Sequence, residues 1–203
     1  MSGVLCMRLT NDTALILIDF QQAILSPRWG HLNNPDAVVA ASLLLLHWRL
    51  HGMPVVHIRH NSAEPGSNYA PGQPGNAFIP ALAPIAGESV VAKETNSAFV
   101  GTGLEAELER QGISDLVVAG VLTQNSVEAT VRHAGNLGYR VYLAADACRA
   151  SEKNDLTGKL WPAEDVHQMS LANLQGEYAE VSTVEALIAS SLKSLARRKG
   201  QVG

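Results

Sequence analysis

The 203-residue sequence holds only two cysteines, Cys6 and Cys148. Two thiols cannot build the disulfide framework of a small secreted domain, so the chain reads as a reduced, cytoplasmic protein. It also lacks an excess of positive charge: 15 Lys and Arg stand against 19 Asp and Glu, for a formal charge of -4. A protein that tracks phosphates carries a basic footprint, and nucleic acid is therefore excluded as a partner. The most apolar run, Val38 to Leu46, stops at His47, Trp48 and Arg49. That is far short of the roughly 20 residues of a membrane span, so no membrane partner is expected. The opening MSGVLCMRLTND has no basic stretch followed by an apolar segment, and does not read as a secretory signal. Repeats, low-complexity tracts and interior linkers are missing as well. One domain over 1–203 is expected, with the basic tail from about 194 to 203 a solvated helix end that frays.

What is present is a large apolar fraction, 46%, enough to bury a sizeable core. Short runs rich in Val, Ile and Leu predict strands at Ala14 to Ile18, Pro54 to Ile58, Ser89 to Ala92, Leu116 to Ala119 and Arg140 to Ala144, with a weaker sixth near Tyr178 to Val181. Segments such as ALILI and LVVAG show no polar alternation, the pattern of strands covered on both faces. Helical spacing falls between them, at about Asp36 to His51, Thr102 to Gln111, Ser126 to Leu137, Ala163 to Leu174 and Thr183 to Leu195. Gly52, Gly112 and Gly138 stand where a helix C-terminus wants positive φ. The alternation predicts an α/β fold: one doubly wound, mainly parallel six-stranded sheet, Rossmann-like, with helices on both faces. Chemistry is then expected at the carboxyl ends of the strands. The Pro- and Gly-rich segment from Asn61 to Pro84 is longer than a simple connection, and such loops serve as lids or partner contacts.

Three strand ends carry polar residues that the apolar pattern does not need. The first runs into Asp19, the third into Lys93, and the fourth into the turn GVLTQNSVEATVR, which carries Ser126. An acid, an ammonium and a hydroxyl in one crevice supply a base, a charge that keeps it ionised, and a nucleophile. Helix amides near Ser126 could receive an oxyanion. Singly, each has a plainer role: Asp19 as a cap, Lys93 as a surface lysine, Ser126 as a helix N-cap. Asn125 with Glu128 already makes a capping-box-like pair, however, which leaves the Ser126 hydroxyl spare.

In order, ALILIDFQQ, the KxxxSAFxGTxLE and GVxTxxxVxxTVRxAxxLGY patterns of residues 93–139, and more weakly WPAEDVHQMSLANL resemble the isochorismatase-like hydrolase superfamily. The likeness is to its cysteine hydrolase branch, which includes nicotinamidases, N-carbamoylsarcosine amidohydrolases and ureidoacrylate amidohydrolases. It implies an isochorismatase-like fold and hydrolysis of a C–N bond in a small amide, carbamoyl or ureide substrate. It assigns Asp19 as catalytic carboxylate, Lys93 as catalytic lysine and position 126 as nucleophile. A cis peptide is implied between Val121 and Leu122, with the amides of Leu122 and Ser126 forming the oxyanion hole. The branch carries Cys where this chain has Ser126. A free thiol, with a pKa of about 8.5, is partly ionised near neutrality, whereas a hydroxyl needs a stronger base than a carboxylate, and no His sits in the turn. Three accounts of Ser126 remain: a cysteine hydrolase silenced so that substrate is retained, which is favoured, a natural serine with slower turnover, or departure from nucleophilic catalysis. Two other functions stay open, a vinyl-ether hydrolase using Asp19 without a nucleophile, and a non-catalytic small-molecule binder on the same scaffold.

The nicotinamidase metal site is not expected. His57 and His60 point to opposite faces of a strand and lack the acidic ligand between them, so no metal and no cofactor is predicted. Gln22, Asn96, Phe99, Asn125 and Tyr69 are candidates for substrate binding, with His60 and Asn68 in the long loop, although Phe99 could equally belong to the core. By resemblance, Trp161 and the AEDVHQM stretch pack against a neighbouring subunit, which implies a homo-oligomer, dimer or tetramer.

Overall fold

The computed structural model describes residues 7 and 9–199; Cys6 and the last four positions of the tail lie outside the described residues. Five strands, β1 (Thr13–Ile18), β2 (Val55–His60), β3 (Ser89–Lys93), β4 (Asp115–Val121) and β5 (Arg140–Arg149), alternate with helices along the chain. A short antiparallel hairpin, β6 (Lys153–Asn154) with β7 (Leu160–Trp161), interrupts the pattern before β8 (Glu180–Ser182). The main sheet has six parallel strands in the order β3-β2-β1-β4-β5-β8. Strand order reverses at β1, and a crevice opens there at the carboxyl ends of β1 and β4.

The central strands are what their apolar runs predict. Every residue of β1 and β4 is buried, because helices cover both faces of the sheet. On one face, α1 (Ala37–Leu50) and α5 (Val184–Lys199) close over Leu15, Leu17, Leu44, Trp48 and Leu187. On the other, α2 (Leu104–Arg110), α3 (Glu128–Asn136) and α4 (Ala163–Leu174) pack on Ile16, Ile18, Val118, Leu108 and Val131. Gly52, Gly112 and Gly138 take φ of 62°, 67° and 91° after their helices. At the sheet edge, β3 alternates, and its one fully buried residue is Lys93.

Several boundaries differ from the sequence expectation. β5 continues to Arg149 instead of ending at Ala144, through a break in register between its Val118 and Gly120 pairings with β4. Asn34 Nδ2 stitches that irregular stretch by donating to the carbonyls of Ala145 and Cys148 at 3.1 and 2.7 Å. The two-residue strands of the hairpin are too short to show a period and were not anticipated. Helix α5 runs to Lys199, past the expected end at Leu195, since its Leu, Ala, Arg and Lys residues favour helix. α3 begins at Glu128, and Ser126 lies instead in a π-helical turn, Thr123–Val127, closed by Val127 N donating to Leu122 O at 3.2 Å. No capping box forms there: Glu128 accepts from Arg132 and from the Ser170 hydroxyl.

Gly120 is set by close approach. It pairs with Ile18 across β1 and β4, and a Cβ there would meet Ile18 Cβ at 2.6 Å and Ile18 O at 2.8 Å. Gly120→Ala is expected to lower stability by about 1–3 kcal/mol through this overpacking, read as a fall in the thermal midpoint, whereas Gly112→Ala, with open space around it, shows only the smaller cost of its positive φ.

Candidate active site

The carboxyl ends of three strands of the sheet deliver the site. β1 ends one residue before Asp19, β3 ends at Lys93, and β4 leads through Leu122 into the π-helical turn that carries Ser126. The chain turns sharply at Asp19, which adopts φ of 55°, a left-handed conformation that Asp tolerates better than most residues. The peptide bond between Val121 and Leu122 is cis.

Lys93 joins the three. Its ammonium is buried and donates to Asp19 Oδ2 at 2.7 Å, to the Thr95 carbonyl at 3.0 Å and to Ser126 Oγ at 3.2 Å. All three ammonium donors are thereby used, the condition under which a buried lysine can remain charged. Ser126 Oγ accepts from Lys93, so the hydroxyl proton is left for another partner. Asp19 Oδ1 is buried without a hydrogen bond, and the Ser126 hydroxyl is near enough to favour the ionised carboxylate. Burial nevertheless pushes the Asp19 carboxyl above its ordinary value, against the pull of Lys93. A carboxylate with a raised pKa beside a hydroxyl is arranged to take a proton.

Asp19 and Ser126 open into a cavity of about 600 Å³ whose wall also includes Arg28, Trp29, His60, Ser62, Glu64, Tyr69, Glu94, Asn96, Leu122 and Asn125. Of the substrate-binding candidates, Tyr69, Asn96 and Asn125 reach this wall; Gln22 and Phe99 do not. Gln22 opens a short 3-10 turn whose backbone is tied to Ala77, while Phe99 is buried in the core and stacks on Tyr139 at 5.9 Å. Asn68 is exposed and off the wall. The adjacent Gln21 has a structural part that the sequence did not suggest. Its side chain pairs with both the N–H and the carbonyl of His60 and donates to Asn76 O, which fastens the loop after β2 over the site.

Arg28, Trp29, Ser62, Glu64, Glu94 and Thr95 were also missed, since they come from loops with no periodicity to mark them. His57 and His60 diverge as their spacing predicted: His57 Nε2 meets Glu88 at 2.8 Å, and His60 faces the cavity. Among the described residues no cluster of three or more His, Cys, Asp or Glu is placed to hold a metal ion. Cys148 is a buried free thiol pushed up to about 12 by desolvation, and it lies outside the cavity wall.

The sequence matches the isochorismatase domain family over residues 13–186, and the chain belongs to that family of hydrolases. A crystal structure of an isochorismatase-family protein from Chromobacterium violaceum superposes with a TM-score of 0.89 at 52% identity, covering 94% of this chain and 98% of that one. The isochorismatase family protein YrdC of Bacillus subtilis is 36% identical across 89% of this chain and 97% of its own length. A maleamate amidohydrolase of Pseudomonas putida is 31% identical, with 84% of this chain and 82% of the relative aligned.

Removing one partner of a buried ion pair strands the other charge, typically at about 3–5 kcal/mol, whereas replacing both is far milder. Lys93→Met is therefore expected to destabilise the protein more than the double variant Asp19→Asn/Lys93→Met, a difference read from urea unfolding of the four proteins of the cycle.

Proposed function

We propose that this hydrolase cleaves the C–N bond of a small amide, carbamoyl or ureide substrate, with Ser126 as nucleophile, Asp19 as its base and Lys93 as the charge that holds both. The observation that carries this reading is the single buried ammonium touching Asp19 and Ser126 behind a cavity of mixed polarity. The relative named as a maleamate amidohydrolase supports it, because that enzyme's name denotes hydrolysis of an amide. In the acylation step the Ser126 proton passes to Asp19 as Oγ bonds to the carbonyl carbon. The C–N bond then breaks, and the leaving nitrogen takes the proton from Asp19. The amides of Leu122 and Ser126, on the cavity wall, are assigned to the developing oxyanion. Water subsequently cleaves the Ser126 ester and restores the hydroxyl.

Serine makes this a slow version of the chemistry, because a carboxylate deprotonates a hydroxyl less readily than a thiol. A second reading has one observation in its favour. The raised Asp19 pKa suits a proton donor, as vinyl-ether hydrolysis without a nucleophile would require. Release of ammonia or amine from a panel of small amides and ureides separates the two. Ser126→Cys is expected to exceed the parent by roughly tenfold or more, and Asp19→Asn to abolish both. Activity of Ser126→Ala equal to the parent would transfer the case to the nucleophile-free route. Tight binding without turnover in every form would make the protein a binder.

The same reading treats the chain as one domain in a reduced, cytoplasmic setting, consistent with the free Cys148 thiol, and as a homo-oligomer. Leu156, Leu160, Trp161 and Met169 form an exposed apolar surface between the hairpin and α4, and Trp161 and Met169 belong to the stretch that the family resemblance implies packs against a neighbouring subunit. Light scattering is expected to give a dimer or tetramer that Trp161→Asp/Met169→Glu converts toward monomer; a monomeric parent would refute this.

A further inference from the structure

The turn bearing Ser126 contains no histidine, yet the neighbouring strand supplies one. β2 lies between β1 and β3, and its last residue, His60, pairs in register with Lys93. The ring stands on the same cavity wall as Asp19 and Ser126, with the Lys93 ammonium buried behind them. Its backbone is fixed on both sides: Gln21 Oε1 accepts from His60 N at 2.7 Å, and the His60 carbonyl accepts from Gln21 Nε2 at 3.0 Å and Asn76 Nδ2 at 3.1 Å. Tyr69 packs edge-on against the imidazole with centroids 5.6 Å apart. Nδ1 is buried without a hydrogen bond. The residue is half-buried and lines the cavity, and with Nδ1 buried Nε2 is the nitrogen assigned to meet water.

The hydrolytic half of the reaction lacks an assigned base. One oxygen of Asp19 is held by Lys93, the other makes no hydrogen bond, and the carboxylate feels the Ser126 hydroxyl, which suits acylation. We infer that His60 is the general base for the water that releases the acyl group from Ser126, a role that rests on the nucleophilic reading above. Nε2 takes a proton from water as the oxygen bonds to the acyl carbon. The bond from that carbon to Ser126 Oγ then breaks, the proton passes to Oγ, and the free acid departs. The charges around the ring fit the role. Burial first, and then the Lys93 ammonium, hold the imidazole below its usual 6.5, against Asp19 and Glu64, which favour the protonated form. Arg28, Glu94 and the protonated Tyr69 hydroxyl complete the ionisable groups on that wall. The imidazole is consequently neutral and able to accept a proton near pH 7.

The experiment uses p-nitrophenyl acetate, which acetylates a nucleophile and reports it as p-nitrophenolate. With His60→Gln the initial release is expected to persist while acetyl hydrolysis slows on the order of 100-fold. Peptide mass analysis should then find acetyl accumulated on Ser126. The parent's deacylation rate should fall with acid through a limb lying below pH 6.5, absent in His60→Gln, and added imidazole should restore deacylation to His60→Ala. A purely structural His60 would give neither the lost limb nor the imidazole rescue. Acetylation followed by deacylation at the parent rate in His60→Gln would overturn the role of His60 alone. No acetyl on residue 126 in either the parent or Ser126→Cys would overturn the nucleophilic reading, and this inference with it.

Discussion

The site depends on one buried charge. Lys93 has its ammonium out of water at the edge of the sheet, and that placement is tolerable only because three acceptors surround it. Two of the three are the groups with chemistry to perform, and each arrives from a different strand end. The ammonium therefore fixes the spacing of base and nucleophile and also lowers the cost of a carboxylate beneath the surface. Burial and the ion pair act on Asp19 in opposite directions, and burial prevails. The outcome is a carboxylate more basic than an exposed one, next to a hydroxyl that needs a base.

The rest of the fold keeps that cluster aligned. β1 and β4 are buried on both faces and meet so closely that only glycine fits opposite Ile18, which sets the distance between the strand carrying Asp19 and the strand leading to Ser126. Thr123, first in the π-helical turn, is fully buried and shares a hydrogen bond of 2.9 Å with His167 of α4, so the turn is braced from the helix behind it. Gln21 and Asn76 do the same for the loop after β2. Side chains that look unremarkable in the sequence thus decide where the polar groups of the cavity stand.

The sheet and its helices were legible because strands covered on both faces must be continuously apolar, and residues 14–18 and 116–119 are. Asp19, Lys93 and Ser126 stood out for the complementary reason, as polar residues at the ends of such runs. Less was visible where tertiary contacts decide. The wide turn at Thr123–Val127 has no periodic signature, so Asn125 and Glu128 suggested a cap that the backbone does not form. Phe99 follows the lysine motif closely in sequence, but its ring turns into the core. His60 lies far from Ser126 in sequence, and only the parallel register of β2 and β3 brings it to the same wall.

The central claim is that the Lys93 ammonium opposes burial at Asp19 and favours its ionised form. Carbon-detected NMR titration of the Asp19 carboxyl in the parent and in Lys93→Met tests it most directly. The account predicts a titration above the ordinary 3.8 in the parent and a further upward move once the ammonium is gone, because Lys93 is the largest influence opposing burial. An Asp19 that titrates at the same pH in both proteins would contradict it.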